Sequence, residues 1–139
     1  MAKNVQFSIA VHIMAGLAHG CDKDITSTTL AGSVNTSPSF VRRILAKLSK
    51  AGLVKTATGK AGACWLGKDT RKISLLDIYK AVDAPEAIAI HRYKEQKACP
   101  VSCQIKTALE RALGKTQKAM ETSLGNISLA EIVSDVKKQ

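Results

Sequence analysis

Asn35-Thr36-Ser37-Pro38-Ser39-Phe40-Val41-Arg42-Arg43-Ile44-Leu45-Ala46-Lys47-Leu48-Ser49-Lys50-Ala51-Gly52 carries the punctuation of one helix with two unlike faces. Asn35 to Pro38 breaks the preceding element. Ser37 offers its hydroxyl to the orphan N–H groups of a new helix, and Pro38, with its fixed φ, suits the first helical position. Phe40, Val41, Ile44, Leu45 and Leu48 recur at three- and four-residue steps and share one face. Arg42, Arg43, Lys47 and Lys50 fall on the other side. Gly52 then stops the helix, as a residue in the left-handed conformation commonly does.

Upstream, Val5, Ile9, Ile13 and Leu17 recur every four residues and predict a first helix. Gly20 to Asp24 is a polar turn, and Thr26 or Ser27 can cap a short second helix through about Val34. Downstream, Leu53-Val54-Lys55-Thr56 is strand-like, Thr58 to Gly62 is a glycine-containing turn, and Ala63 to Leu66 can return as a hairpin. Three helices, the second and third joined by a tight turn, followed by a basic hairpin, are the order of a winged helix-turn-helix. The expected fold is therefore mainly α with a small β wing. A helix of this kind fits the major groove of duplex DNA with its N-terminal side chains nearest the bases. That makes Thr36, Ser37, Ser39, Arg42, Arg43 and Lys47 the candidates for DNA contact. Lys60, at the hairpin tip, is placed to reach the backbone or the minor groove.

Charge supports the same partner. The 139 residues hold 21 Lys and Arg against 11 Asp and Glu, a net charge of +10. Residues 1–72 carry eleven of the basic side chains and three of the acidic ones. From Arg42 to Lys72, nine basic side chains face Asp69 alone. A chain so biased points to a polyanion, and double-stranded DNA suits the helix that carries the bias. Aromatics are too few (two Phe, two Tyr, one Trp) for a protein that grips single strands by stacking. Trp65 is expected in the core beneath the wing. His12 and His19 read as packing and surface residues of the first helix.

Beyond residue 72, Ser74 and Asp77 form a capping-box pattern before a short helix that stops short of Pro85. Residues 84–99 read as a loop. A long helix is expected from about Pro100 to Leu124, with Val101, Ile105, Ala108, Leu109, Ala112, Ala119 and Met120 as an apolar stripe. About 24 residues span roughly 36 Å, more than a domain of ~13 Å radius can cover by itself. A second copy is the expected partner, because two-fold dimers dominate homo-oligomers and match two-fold DNA sites. Ser128 and Glu131 cap a last short helix. The organisation expected is residues 1–72 for DNA binding and residues 73–139 for a helical linker and dimerisation. The N-terminal run from Val5 to Cys21 imitates a lipoprotein signal, but Gln6, Ser8, His12 and His19 interrupt it. A retained helix, a cytoplasmic location and no membrane partner are expected.

Phe7-Ser8-Ile9-Ala10-Val11-His12-Ile13, Ser33-Val34-Asn35-Thr36-Ser37-Pro38, Val41-Arg42-Arg43-Ile44-Leu45, Gly59 to Gly62, Ile73-Ser74-Leu75-Leu76-Asp77-Ile78-Tyr79-Lys80-Ala81-Val82 and Cys99-Pro100-Val101 stand in one order along nearly the whole chain. In this the chain resembles the bacterial Rrf2 family of winged-helix transcription regulators, relatives of IscR and NsrR, and is most similar to its YwnA-like branch. The resemblance implies a homodimeric, mostly repressing, DNA-binding regulator whose long helix crosses to the partner subunit. Members with a [2Fe–2S] cluster place three cysteines, often with a further ligand, before and within the first turn of that helix. Here only Cys99 and Cys103 stand there, with Cys21 and Cys64 elsewhere and His91 as the one recruitable imidazole.

No cofactor is therefore expected, with an iron–sulfur cluster or zinc as the weaker reading. A thiol switch is the alternative: Cys99 would cap the long helix and Cys103 lie one turn in. The helix dipole and Lys97 would then lower the thiol pKa. The bland reading makes Cys103 an interface residue and Cys21 and Cys64 small buried hydrophobes. An enzyme is not expected, since C-x-x-x-C lacks the redox motif spacing and no H-E-x-x-H or phosphate-binding glycine motif occurs. A winged helix that binds protein rather than DNA is the remaining alternative.

Overall fold

A computed structural model describes residues 5–20, 25–57 and 63–138. They form two compact units, one of residues 1–84 with 124–139 and one of residues 85–123. In chain order the elements are α1 (Gln6–His19), β1 (Ile25–Thr26), α2 (Ser27–Val34), α3 (Pro38–Lys50), β2 (Val54–Thr56), β3 (Ala63–Leu66), a single 3-10 turn (Thr70–Lys72), α4 (Leu75–Ala81), α5 (Pro100–Gly125) and α6 (Leu129–Lys137). The hairpin tip, with Lys60 and Gly59 to Gly62, lies outside the described residues, as does Cys21.

Local chemistry sets the turn between α2 and α3. Thr26 caps α2 by accepting from the Thr29 N–H at 3.2 Å. Asn35, at φ 64°, ends it in the left-handed conformation that Asn tolerates better than most residues. The Thr36 N–H closes back on the Ala31 carbonyl at 3.0 Å. Ser37 then accepts from the Phe40 N–H at 3.3 Å, with Pro38 opening α3. At the far end Gly52 has φ 80°. The Leu53 N–H reaches the Leu48 carbonyl at 3.0 Å and the Gly52 N–H reaches Ser49 at 2.9 Å. This is the paired hydrogen bonding of a Schellman stop, and it aims the chain from α3 into the sheet.

Within the first unit α3 buries Val41, Ile44, Leu45 and Leu48, with Phe40 half-buried. On α1 the buried face is Ala10, Ile13, Met14 and Leu17, while Val5 is 53% exposed. The difference from the expected four-residue stripe is geometric: each step of four drifts about 40° around a 3.6-residue helix. A stripe of fours therefore rotates off the core, whereas alternating threes and fours stay on it. This face of α1 packs against α2, α3, α4, α6 and β3.

The sheet has three strands in the order β1-β3-β2, all antiparallel. Thr56 pairs with Cys64, Lys55 with Trp65 and Val54 with Leu66, while Ile25 flanks Cys64 from the other side. The Cys64 thiol donates to the Ile25 carbonyl at 3.2 Å, and burial pushes its pKa up. Trp65 is not in the core: it is 48% exposed. Alternation along β3 turns Cys64 inward and Trp65 outward beside Lys55.

Ser74 and Asp77 form the complete capping box of α4, at 3.0 and 2.9 Å. Ser128 accepts from Glu131 at 3.2 Å to cap α6. Leu75 N–H to Ile127 and Leu129 N–H to Ile73, at 2.9 and 2.8 Å, tie these two helix starts together. Ile73, Leu75, Ile78, Val82, Leu129 and Val133 thereby join the core that α1 and α3 build. Packing thus carries the core across the line expected at residue 72.

The second unit is simpler. Residues 85–99 form no helix or strand and run antiparallel along α5. The Gln96 N–H bonds the Ser102 hydroxyl at 2.8 Å, the Ala87 N–H bonds the Gln117 side chain at 3.0 Å, and the Tyr93 hydroxyl bonds the Ser102 carbonyl. α5 has 26 residues, none of them buried. Val101 is 66% exposed, and Ala108, Ala112 and Ala119 are exposed as well.

Gly52→Ala should cost about 1–2 kcal/mol through left-handed backbone strain alone, because a Cβ there meets nothing within 4 Å. Urea unfolding measures this. An unchanged midpoint would mean that α3 does not end in the conformation described.

Candidate nucleic-acid interface

Burying one face of α3 leaves its opposite side to solvent. Ser37, Ser39, Arg42, Arg43 and Lys50 are exposed, and Thr36 is half-buried. The Ser37 and Ser39 hydroxyls lie 3.4 Å apart at the helix start, where unpaired N–H groups and the helix dipole favour an anion. The Arg43 guanidinium sits over the Phe40 ring, 5.2 Å from its centre. A ring anchored in the core thus restrains the arginine without neutralising it. Arg42 and Lys50, with Ser27, Ala46 and Thr56, line a groove of about 590 Å³.

Not every basic residue of the stretch is equally available. Lys47 is half-buried and donates to the Gln6 side-chain oxygen of α1 at 3.1 Å. Arg71 pairs with Asp69 at 2.9 Å, the one ion pair among the described residues. The Arg71 hydrogen bonds, with its charge and that of Lys72 behind them, pull the Asp69 carboxyl down to about 2. On α3 this leaves Arg42, Arg43 and Lys50 exposed with no carboxylate partner among the described residues. Lys55 and Trp65 form a further exposed pair on the outer face of the sheet. Strand alternation in the sequence was the signal for it, but the usual burial of Trp pointed the other way.

The cysteines of the second unit take the expected places. α5 starts at Pro100, and the Cys99 sulfur accepts from the Ser102 N–H at 3.4 Å. Cys103 follows one turn on, its N–H bonded to the Cys99 carbonyl at 3.1 Å. The expected lowering of the thiol pKa does not hold for Cys103. Its proton faces the Glu95 carboxylate and the carbonyls of Gln96 and Lys97, at 3.6 and 3.7 Å. The hydrogen bond to Glu95, then burial, then the Glu95 charge push the thiol up. Lys97 contributes its carbonyl to the thiol.

A three-helix winged helix-turn-helix with an uncovered cationic helix defines the class of DNA-binding regulators. The Rrf2 family model, described as an iron-dependent transcriptional regulator, matches residues 4–135. YwnA of Bacillus subtilis (strain 168), a candidate HTH-type transcriptional regulator, is 36% identical over 132 residues, 94% of this chain and 96% of that protein. A solved structure described as a candidate DNA-binding protein matches with a TM-score of 0.73 and 34% identity, over 91% of this chain and 97% of that one. A candidate transcriptional regulator from Lactobacillus plantarum gives a TM-score of 0.81 over 96% and 90% of the two chains; at 24% identity it speaks for the fold. The chain belongs to the Rrf2 family, and it is a transcriptional regulator rather than an enzyme.

The donor set does not fit an iron–sulfur cluster in the second unit. Cys99 and Cys103 are its only thiols, and among the described residues no three His, Cys, Asp or Glu side chains gather as ligands. His91 is stacked on Tyr93, with ring centres 5.0 Å apart.

Glu95→Gln should lower the Cys103 pKa and speed its alkylation at neutral pH, measured in a Cys99→Ser background. An unchanged pH–rate profile would show that Glu95 does not hold the thiol proton.

Proposed function

We propose that the chain is a homodimeric repressor in which residues 1–72 bind operator DNA and residues 73–139 link and dimerise. One observation carries this reading: α3 buries Val41, Ile44, Leu45 and Leu48 and leaves Ser37, Ser39, Arg42 and Arg43 uncovered at its N-terminal end. Arg43 is suited to a bidentate contact with guanine, whereas Arg42, Lys50 and Lys60 are suited to phosphates. Lys47 serves as much to hold α3 against α1 as to meet DNA. Thr36 and the two serines add neutral donors at the helix start.

The dimer reading rests on α5. Residues 85–99 run along one side of it, and Val101, Ala108, Ala112 and Ala119 are left exposed on another. Ile105 and Leu109, half-buried, complete that stripe. A helix of 26 residues spans about 39 Å, ample for a second copy. No helix among the described residues is long and apolar enough to cross a membrane, which suits a regulator working on DNA in the cytoplasm. Control of DNA binding by an effector acts through residues 85–123 in this reading. Thiol oxidation would start at Cys99, which is exposed, whereas Cys103 is half-buried and hydrogen-bonded.

Arg43→Ala should weaken operator binding about 10- to 100-fold and affect random DNA far less. Lys60→Ala should weaken both alike and reduce the salt slope by about 0.9. Fluorescence anisotropy across a salt series reads both, and equal losses on both DNAs for Arg43→Ala would remove it from base reading. In sedimentation the wild type should run as a dimer and Ala112→Glu as a monomer. A monomeric wild type at micromolar concentration would contradict the role given to α5.

A further inference from the structure

Residues 85–99 and α5 border an open cleft of about 800 Å³. That lies within the range of small-molecule sites, roughly 300–1,000 Å³. On α5 it is lined by Cys103, Lys106, Thr107, Glu110, Leu113 and Gly114, three- and four-residue steps along one face. At 100° per residue this face lies about 180° from that of Val101, Ile105, Ala108, Ala112 and Ala119. A second copy that covers the apolar stripe therefore leaves the cleft free. Cleft and dimer stripe use opposite sides of one helix.

The lining carries both signs of charge. Arg92 and Lys106 bring cations, and Glu86, Glu95 and Glu110 bring carboxylates. None of them belongs to an ion pair, since among the described residues only Arg71 and Asp69 do. Glu95 already faces the Cys103 thiol; the other opposite charges face one space without an ion pair, which leaves them for a ligand that carries both. Ile90 and Leu113 supply an apolar stretch of the same wall, and the stacked rings of His91 and Tyr93 stiffen it. Gly114 contributes no side chain, and a Cβ built there meets nothing within 4 Å.

We propose that this cleft binds a zwitterionic small molecule, an amino acid or short peptide with a large apolar side chain, as the effector of the regulator. Its carboxylate lies with Arg92 and Lys106, its ammonium with Glu110, and its side chain along Ile90 and Leu113. Such a ligand bridges residues 85–99 and α5, so it favours one arrangement of the two and, by linkage, shifts the affinity for DNA. The proposal rests on the regulator reading above and names the chemistry that controls it.

Calorimetry on the full chain tests it, with the twenty amino acids and leucylphenylalanine as probes and N-acetyl-leucylphenylalanine amide as the uncharged control. The expected result is saturable binding of at least one zwitterion, one per chain, with the control at least about tenfold weaker. Lys106→Gln and Glu110→Gln should each weaken binding about tenfold or more and leave ligand-free DNA affinity unchanged. Saturating ligand should shift the wild type's operator affinity. No binding by any zwitterion, equal binding of the control, or wild-type affinity in both variants overturns the site. Binding with no shift in operator affinity overturns the effector role. Failure of the ligand-free protein to bind DNA counts against the regulator reading alone, because the calorimetry involves no DNA.

Discussion

Ala10, Ile13, Met14 and Leu17 line the face of α1 against which the other helices of the first unit and β3 all pack. Ile13 and Met14 are wholly buried. An element that touches all its neighbours sets their relative positions, because a close-packed interior transmits small shifts rather than absorbing them. α3 is oriented by this contact twice over. Its apolar face sits in the same core, and Lys47 reaches across to Gln6 at the start of α1. α6 returns from the far end of the chain to the same surface, so the core that holds α3 draws on residues from both ends of the sequence.

Once α3 is fixed, its two faces divide the labour. Apolar side chains hold it, and the opposite side presents cations that no carboxylate among the described residues neutralises. The one acidic residue between Arg42 and Lys72 is spent on Arg71, away from α3. A rigid platform of this kind suits base reading, which needs side chains held within a fraction of an ångström, while phosphate contacts tolerate more freedom. The same division recurs on α5, where one side meets residues 85–99 and the other keeps a bare apolar stripe.

Features written in a few adjacent residues were legible in the sequence. Ser37-Pro38 at the start of α3, Gly52 at its end, the Ser74 and Asp77 box and Ser128 before α6 all fell where local chemistry put them. What was not legible depends on distant partners. β1 has two residues, too short for periodicity, and exists because β3 offers it a free edge across 39 positions of sequence. The outward turn of Trp65 follows from which face of β3 the helices cover. The helix dipole predicted a lowered Cys103 pKa, but Glu95, eight positions upstream, decides it through a hydrogen bond that spacing did not reveal. The cleft along α5 was equally hidden, since residues 85–99 carry no periodic pattern that places them.

The account stands or falls on two copies of α3 presented to one DNA site. Hydroxyl-radical footprinting of the protein on DNA from upstream of its own gene measures this most directly. The account predicts two protected blocks related by a two-fold axis, with centres a whole number of helical turns apart, about 10–10.5 base pairs each. A single unpaired block would contradict the two-fold presentation, and uniform protection without boundaries would contradict sequence-specific binding altogether.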